Sequence, residues 1–226
     1  MAILDDRTRR TLEERLARSL TNTVELRLHR RPDTGRLILP GGMGCATCDT
    51  AEELARALRD VAPGLIELTV VDTAERPEDG VEAVPTLTVG RASEPARIVF
   101  QGLPSGYEFA TLVDAVERVS GAGGELSPES LELLAGLERD VEVMVFVTPT
   151  CPYCPGAASL ANRMALASPR VRAVVVEANE FPDLSDRFDV QGVPRTVVNR
   201  AGAFVGALPE AAFVQSVLEL AGREAA

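Results

Sequence analysis

Four cysteines in two pairs of identical spacing, Cys45/Cys48 and Cys151/Cys154, are the side chains of this sequence best suited to chemistry. A cysteine attacks or binds metal as its thiolate, and a free one ionises near pH ~8.5. Two intervening residues place both sulfurs within one turn of chain, so the second can displace whatever the first has captured. In a reducing compartment such pairs are redox-active or metal-binding rather than structural cross-links. One zinc stapling both pairs, in a binding scaffold without catalysis, is the alternative from another class. Residues 49–150 lie between the pairs, far more than the ~15–20 usual in a zinc site. The expected metal ligand set is therefore none.

Other chemistries are poorly supplied. All 23 basic residues are arginine, which removes Schiff-base lysines, and the single His29 leaves little for a Ser-His or Cys-His hydrolase. His29, on a strand beside Arg30 and Arg31, is expected at the surface. A net charge of −11 argues against nucleic acid or an anionic membrane as partner. No apolar run approaches the ~20 residues of a membrane span. Residues 1–20 are rich in Arg and Glu and lack a secretory apolar stretch, so the expected location is cytoplasmic. No Gly-x-Gly-x-x-Gly is present, so electrons from NADPH would need a separate reductase.

The elements that must hold the cysteines occur twice. Residues 6–20 carry Leu12, Leu16 and Leu20 at helical spacing, and an alternating strand with Val24, Leu26 and Leu28 follows. The pattern restarts with Ser127 as N-cap, Pro128, a helix bearing Leu131, Leu134 and Leu137, and a strand Val141 to Val147 apolar on both faces. After each strand come the cysteines and a helix, over Thr50 to Val61 and Pro155 to Ala167. Next come a β-branched strand (Ile66 to Val71; Val171 to Glu177) and a Val-Pro pair leading into another (Thr86 to Val89; Thr196 to Asn199). A last strand, a Gly and a helix close each copy. The first cysteine and the Val-Pro proline are 40 residues apart in one copy (45 to 85) and 43 in the other (151 to 194). The chain therefore divides into residues 1–120, a Gly-rich linker 121–126, and residues 127–226. The first copy has 11 extra residues before its cysteines, including Pro32 to Gly35 and Gly41 to Gly44, which predict an added hairpin or long loop.

A cysteine at the opening turn of a helix gains free N–H groups and the positive end of the dipole, and both favour its anion. Cys151 is thus the expected nucleophile and Cys154 the shielded resolving thiol, with Pro152 and Tyr153 tuning and covering the site. Val84-Pro85 and Val193-Pro194 are candidate cis peptides. If Pro194 packs beside Cys151, the Val193 backbone is left free to pair with an extended substrate. Glu177 is a candidate proton acceptor for Cys154, and Arg195 a candidate contact for an acidic substrate or a group lowering the thiol pKa.

The run Phe146-Val147-Thr148-Pro149-Thr150-Cys151-Pro152-Tyr153-Cys154-Pro155 resembles the C-terminal site of the protein disulfide oxidoreductases of archaea and thermophilic bacteria. Gly102-Leu103-Pro104-Ser105-Gly106-Tyr107-Glu108-Phe109 is similar to that family's join into the last helix of its first unit. The resemblance implies an α/β fold of two tandem thioredoxin-like units, each a mixed sheet flanked by helices. It implies a glutaredoxin-like thiol–disulfide oxidoreductase with no bound cofactor, acting on protein thiols and disulfides and reduced by a thioredoxin-reductase-like flavoprotein. The alternative it carries is an electron-transfer module passing reducing equivalents from such a flavoprotein to a peroxiredoxin, as does the N-terminal domain of the alkyl hydroperoxide reductase flavoprotein. That relative keeps its working dithiol in the second unit alone, whereas here both units have one, which favours the first reading. Cys45-Ala46-Thr47-Cys48 departs from the family in having neither Pro nor an aromatic between the sulfurs. Thioredoxins carry a buried acid six residues before the first cysteine. Here those positions are Leu39 and Val145, so proton handling must use water or another group.

Overall fold

The computed structural model describes residues 3–31, 45–76, 81, 83–92 and 94–223. The loop expected before the first cysteine pair, with Leu39, lies outside them. Helix α1 (Asp6–Ser19) starts where the Asp5 carboxylate accepts the Thr8 N–H at 2.7 Å, and it buries Leu12 and Leu16. Strand β1 (Val24–Arg30) turns Val24, Leu26 and Leu28 into the same core, joined there by Leu54, Ala55 and Leu58 of α2 (Cys48–Val61). Strands β2 (Ile66–Asp72), β3 (Thr86–Gly90) and β4 (Ile98–Gln101) and helix α3 (Tyr107–Val119) complete the first half.

The second half repeats the order, from α4 (Pro128–Ala135), capped by the Ser127 hydroxyl. There follow β5 (Val141–Val147), α5 (Cys154–Ala167), β6 (Val171–Glu177), α6 (Pro182–Arg187), β7 (Arg195–Val198), β8 (Gly202–Val205) and α7 (Glu210–Arg223). Both cysteine helices open at the second cysteine, two residues and one residue earlier than the sequence suggests, because that cysteine supplies the first helical turn.

Among the described residues the strands form one sheet in the order β2-β1-β3-β4-β6-β5-β7-β8. Each half contributes four neighbours in the same arrangement. In each half the first strand runs parallel to the second and antiparallel to the third. The halves join through β4 and β6, which pair in parallel with Phe100 opposite Val175 and Gln101 opposite Val176. The core is continuous across this seam. Val141, Val143, Val145 and Val147 face the side covered by α3 and α5, while Met144 and Phe146 face α6.

Helix α6 adds an element that the sequence reading lacks, although Phe181, Leu184 and Phe188 stand at helical spacing, with Val190 just beyond. Together they cover Met144, Phe146, Val174 and Val197, and Phe146 packs against Phe188 with ring centroids 5.8 Å apart and the planes tilted by 52°. His29 corrects a second expectation. It is 5% exposed rather than a surface residue, because β1 is an interior strand and His29 lies between Val71 of β2 and Thr86 of β3.

Candidate active site

Strand β5 ends at Val147, and the loop Thr148 to Tyr153 carries Cys151 up to the first turn of α5. The Cys151 N–H donates to Thr148 O at 3.1 Å, closing a turn that fixes the cysteine against the helix. Cys151 and Cys154 are joined as a disulfide, as are Cys45 and Cys48. Cys151 is 8% exposed and Cys154 fully buried, so an incoming thiol reaches only the first sulfur. The Cys154 N–H donates to Cys151 Sγ at 3.1 Å. This is the unpaired donor of a helix N-terminus aimed at the atom that becomes an anion on reduction.

Both Val-Pro peptides, Val84-Pro85 and Val193-Pro194, are cis. Val193 O lies 3.8 Å from Cys151 Sγ, so the residue before Pro194 borders the reactive sulfur. Pro152 and Tyr153 stand on the solvent side, Tyr153 being among the most exposed large side chains. Arg195 is elsewhere. It pairs across the sheet with Phe146, which faces α6, and lines a cleft on that side with Arg187 and Arg200.

A group missing from the sequence reading comes from the other half of the chain. The N-terminus of α3 presses on the loop before Cys151: Tyr107 N–H donates to Pro149 O at 3.0 Å, and a Cβ on Gly106 would stand 2.2 Å from that oxygen. Only glycine permits this approach. Farther along, Ser159 of α5 donates to Asp114 of α3 at 2.9 Å. Six residues back from Asp114 is Glu108, and five back from Ser159 is Cys154, so the two stand near the same level of the paired helices.

Glu108 is 2% exposed, and neither carboxylate oxygen makes a hydrogen bond of normal geometry among the described residues, the Thr111 hydroxyl nearby being the one group that favours its charged form. Burial pushes its pKa up to about 7. It lines a cavity of about 10 Å³ with Gly102, Val147, Val175 and Glu177, about the least volume that holds a water molecule. Glu177 is buried too, and burial raises its pKa. Its carboxylate accepts from Asn179 Nδ2 at 2.9 Å and from the Glu180 N–H at 2.7 Å, so donors partly offset that burial. The signal for Glu108 is present in the sequence: it shares a helical stripe with Leu112 and Ala115.

Among the described residues no group of three or more His, Cys, Asp or Glu is disposed to hold a metal ion. Among them, too, no helix is long and apolar enough to cross a membrane.

The thioredoxin domain family matches residues 141–219. The F subunit of the alkyl hydroperoxide reductase of Pseudomonas aeruginosa is 28% identical over 152 residues, which are 67% of this chain and 28% of that protein. Its counterpart in Staphylococcus epidermidis is 27% identical over 146 residues, 65% of this chain and 27% of that one. The chain thus spans little more than a quarter of the length of these relatives. Among solved structures, a protein disulfide oxidoreductase from Aeropyrum pernix is 29% identical, with a TM-score of 0.82 over 96% of this chain and 94% of that one. The F subunit of the Enterococcus faecalis alkylhydroperoxide reductase shares the fold, with a TM-score of 0.81 at 21% identity over 95% of this chain and 99% of that one. A tandem thioredoxin fold with a thioredoxin domain at residues 141–219 and two disulfide-bonded Cys-x-x-Cys pairs makes this chain a thiol–disulfide oxidoreductase, similar over nearly its whole length to the protein disulfide oxidoreductase of Aeropyrum pernix.

Proposed function

We propose that the chain exchanges disulfides with protein substrates through Cys151 and Cys154. The observation that carries this reading is the Cys154 N–H on Cys151 Sγ at 3.1 Å, with Val193 O at 3.8 Å on the same atom. In the reducing direction Cys151 thiolate attacks a substrate disulfide, forming a mixed disulfide and releasing one substrate thiolate. Cys154 then loses its proton, attacks Cys151 Sγ and frees the second substrate thiolate. Two electrons pass to the substrate, whose two sulfurs take up two protons. Val193 offers its backbone to an extended substrate segment beside Pro194. Glu108 receives the Cys154 proton, and Glu177 helps to set the polarity of their shared cavity. Cys45 and Cys48, with Val84 and Pro85, form a second exchange site, and residues 121–126 separate the two units.

A second reading is favoured by the relatives that match most of the chain. As in the alkyl hydroperoxide reductase flavoprotein, the same dithiol would take electrons from a flavoprotein and hand them to a peroxiredoxin. A coupled peroxidase assay beside an insulin reduction assay separates the two.

The proposed mechanism makes a direct test available. With Cys154→Ser the mixed disulfide on Cys151 cannot be resolved internally, so this variant should accumulate covalent adducts with disulfide-bearing proteins. Non-reducing gels and mass spectrometry would show them at Cys151. Adducts that form equally well in Cys151→Ser, or none at all, would contradict the assignment.

A further inference from the structure

Each dithiol lies beside a glycine that is bonded to the neighbouring cis proline. Gly102 N–H donates to Pro85 O at 2.9 Å, and Gly206 N–H to Pro194 O at 2.8 Å. A peptide joined to the first cysteine and paired with the residue before the proline has to cross between that glycine and the two residues separating the sulfurs. At the second dithiol this passage is open. Tyr153 is 70% exposed, and a Cβ on Gly206 would meet nothing within 4 Å.

At the first dithiol the same passage is bridged by Glu180, which follows β6 in the other half of the chain. The Thr47 hydroxyl, between the two sulfurs, donates to Glu180 Oε2, and the Leu103 N–H donates to Oε1 at 2.7 Å. A Cβ on Gly102 would stand 3.2 Å from the Glu180 carboxyl carbon and 2.7 Å from Glu177 Cβ. The Glu180 N–H donates to the Glu177 carboxylate at 2.7 Å, so the bridge is anchored at its base. Hydrogen bonds to a carboxylate are among the stronger ones a side chain makes. Cys45 itself is only half-buried and Ala46 is exposed, which leaves room for a small thiol to reach the sulfur.

We propose that Glu180 determines specificity between the two dithiols: it keeps protein disulfides off Cys45–Cys48 while small thiols still react there. Protein substrates are thereby directed to Cys151–Cys154. This rests on the reading of both pairs as exchange sites. The chemistry at the first pair is ordinary exchange. Dithiothreitol opens the Cys45–Cys48 disulfide, is itself oxidised to its cyclic disulfide, and leaves two thiols. These pass two electrons and two protons to a substrate disulfide if it can reach them.

The test uses the full chain with Cys151 and Cys154 both replaced by Ser. Two rates are measured: reduction of Cys45–Cys48 by dithiothreitol, and oxidation of the resulting dithiol by insulin. Glu180→Ala should raise the insulin-to-dithiothreitol rate ratio about tenfold, the scale of one lost charge-assisted hydrogen bond. Thr47→Val, which removes the bridge from its other end, should raise the ratio in the same direction and serves if Glu180→Ala does not fold. An unchanged ratio, or two rates that move by the same factor, overturns the proposal. The underlying reading fails separately, and takes the proposal with it, if the chain with Cys45 and Cys48 replaced by Ser does not reduce insulin at all.

Discussion

Cys151→Ser should lose insulin reduction coupled to dithiothreitol by roughly 10³-fold or more, down to the uncatalysed exchange. Oxygen at this position is neither an anion at neutral pH nor able to form a disulfide, so the first covalent step disappears rather than slows. The loss should be nearly complete even though Cys45 and Cys48 remain, because the Glu180 bridge keeps a protein disulfide from reaching them. Cys45→Ser should, for the same reason, retain most of the activity. If the two single variants lost equal shares, both dithiols would be serving protein substrates and the division of labour would be wrong.

Glu108→Gln should separate stability from catalysis. A carboxyl whose pKa is about 7 when folded and near the ordinary 4.5 when unfolded loses its proton first in the unfolded chain. Between those two values the unfolded state binds fewer protons, so stability falls as pH rises, and the full cost is reached above pH about 7. At about 1.4 kcal/mol per pKa unit the cost of the charged side chain is on the order of 3 kcal/mol. The amide cannot ionise. The variant should therefore melt several degrees higher than the wild type at pH 8, with the gap closing towards pH 5. Its catalysis should move the opposite way. With no base for Cys154, release of the mixed disulfide should slow by about 10²-fold, the lower end of what a general base contributes, and its pH profile should lose the inflection near 7. Lower stability at pH 8 combined with an unaltered pH profile would make Glu108 a packing residue only.

Much of this architecture is legible in the chain because strand and helix periodicities repeat in register with the cysteines. The strand Val141 to Val147 is apolar at successive positions because it is buried on both faces, and that pattern is local. The relation between the halves is not local. Nothing in the spacing of Ile98 to Gln101 says that this strand will pair with Val171 to Glu177 and fuse the two sheets into one. The burial of Glu108 is legible in its stripe with Leu112 and Ala115, but the part of the second half that it faces is not, for the same reason. Val145 is apolar at the position where thioredoxins carry a buried acid, and Glu108 comes to line a cavity with Val147, at the end of β5, only because α3 of the first half packs on α5 of the second. Glu180 is the converse case, a residue of the second half that bridges Thr47 and Leu103 of the first. For His29 the arginine neighbours suggest an exposed strand, whereas β1 is flanked by two others. Helix α6 is short, and its apolar spacing is legible only over a single turn and a half.

Everything chemical depends on Cys151 being held as an anion by the first turn of α5. The rate of its alkylation by iodoacetamide in the reduced protein, followed against pH with Cys45 and Cys48 replaced by Ser, tests this most directly. The expected result is reaction at neutral pH much faster than that of a free cysteine, with an inflection well below the ordinary ~8.5, and Cys154 unreactive until the protein is denatured. A rate at residue 151 no greater than that of an exposed, unassisted thiol would contradict the account.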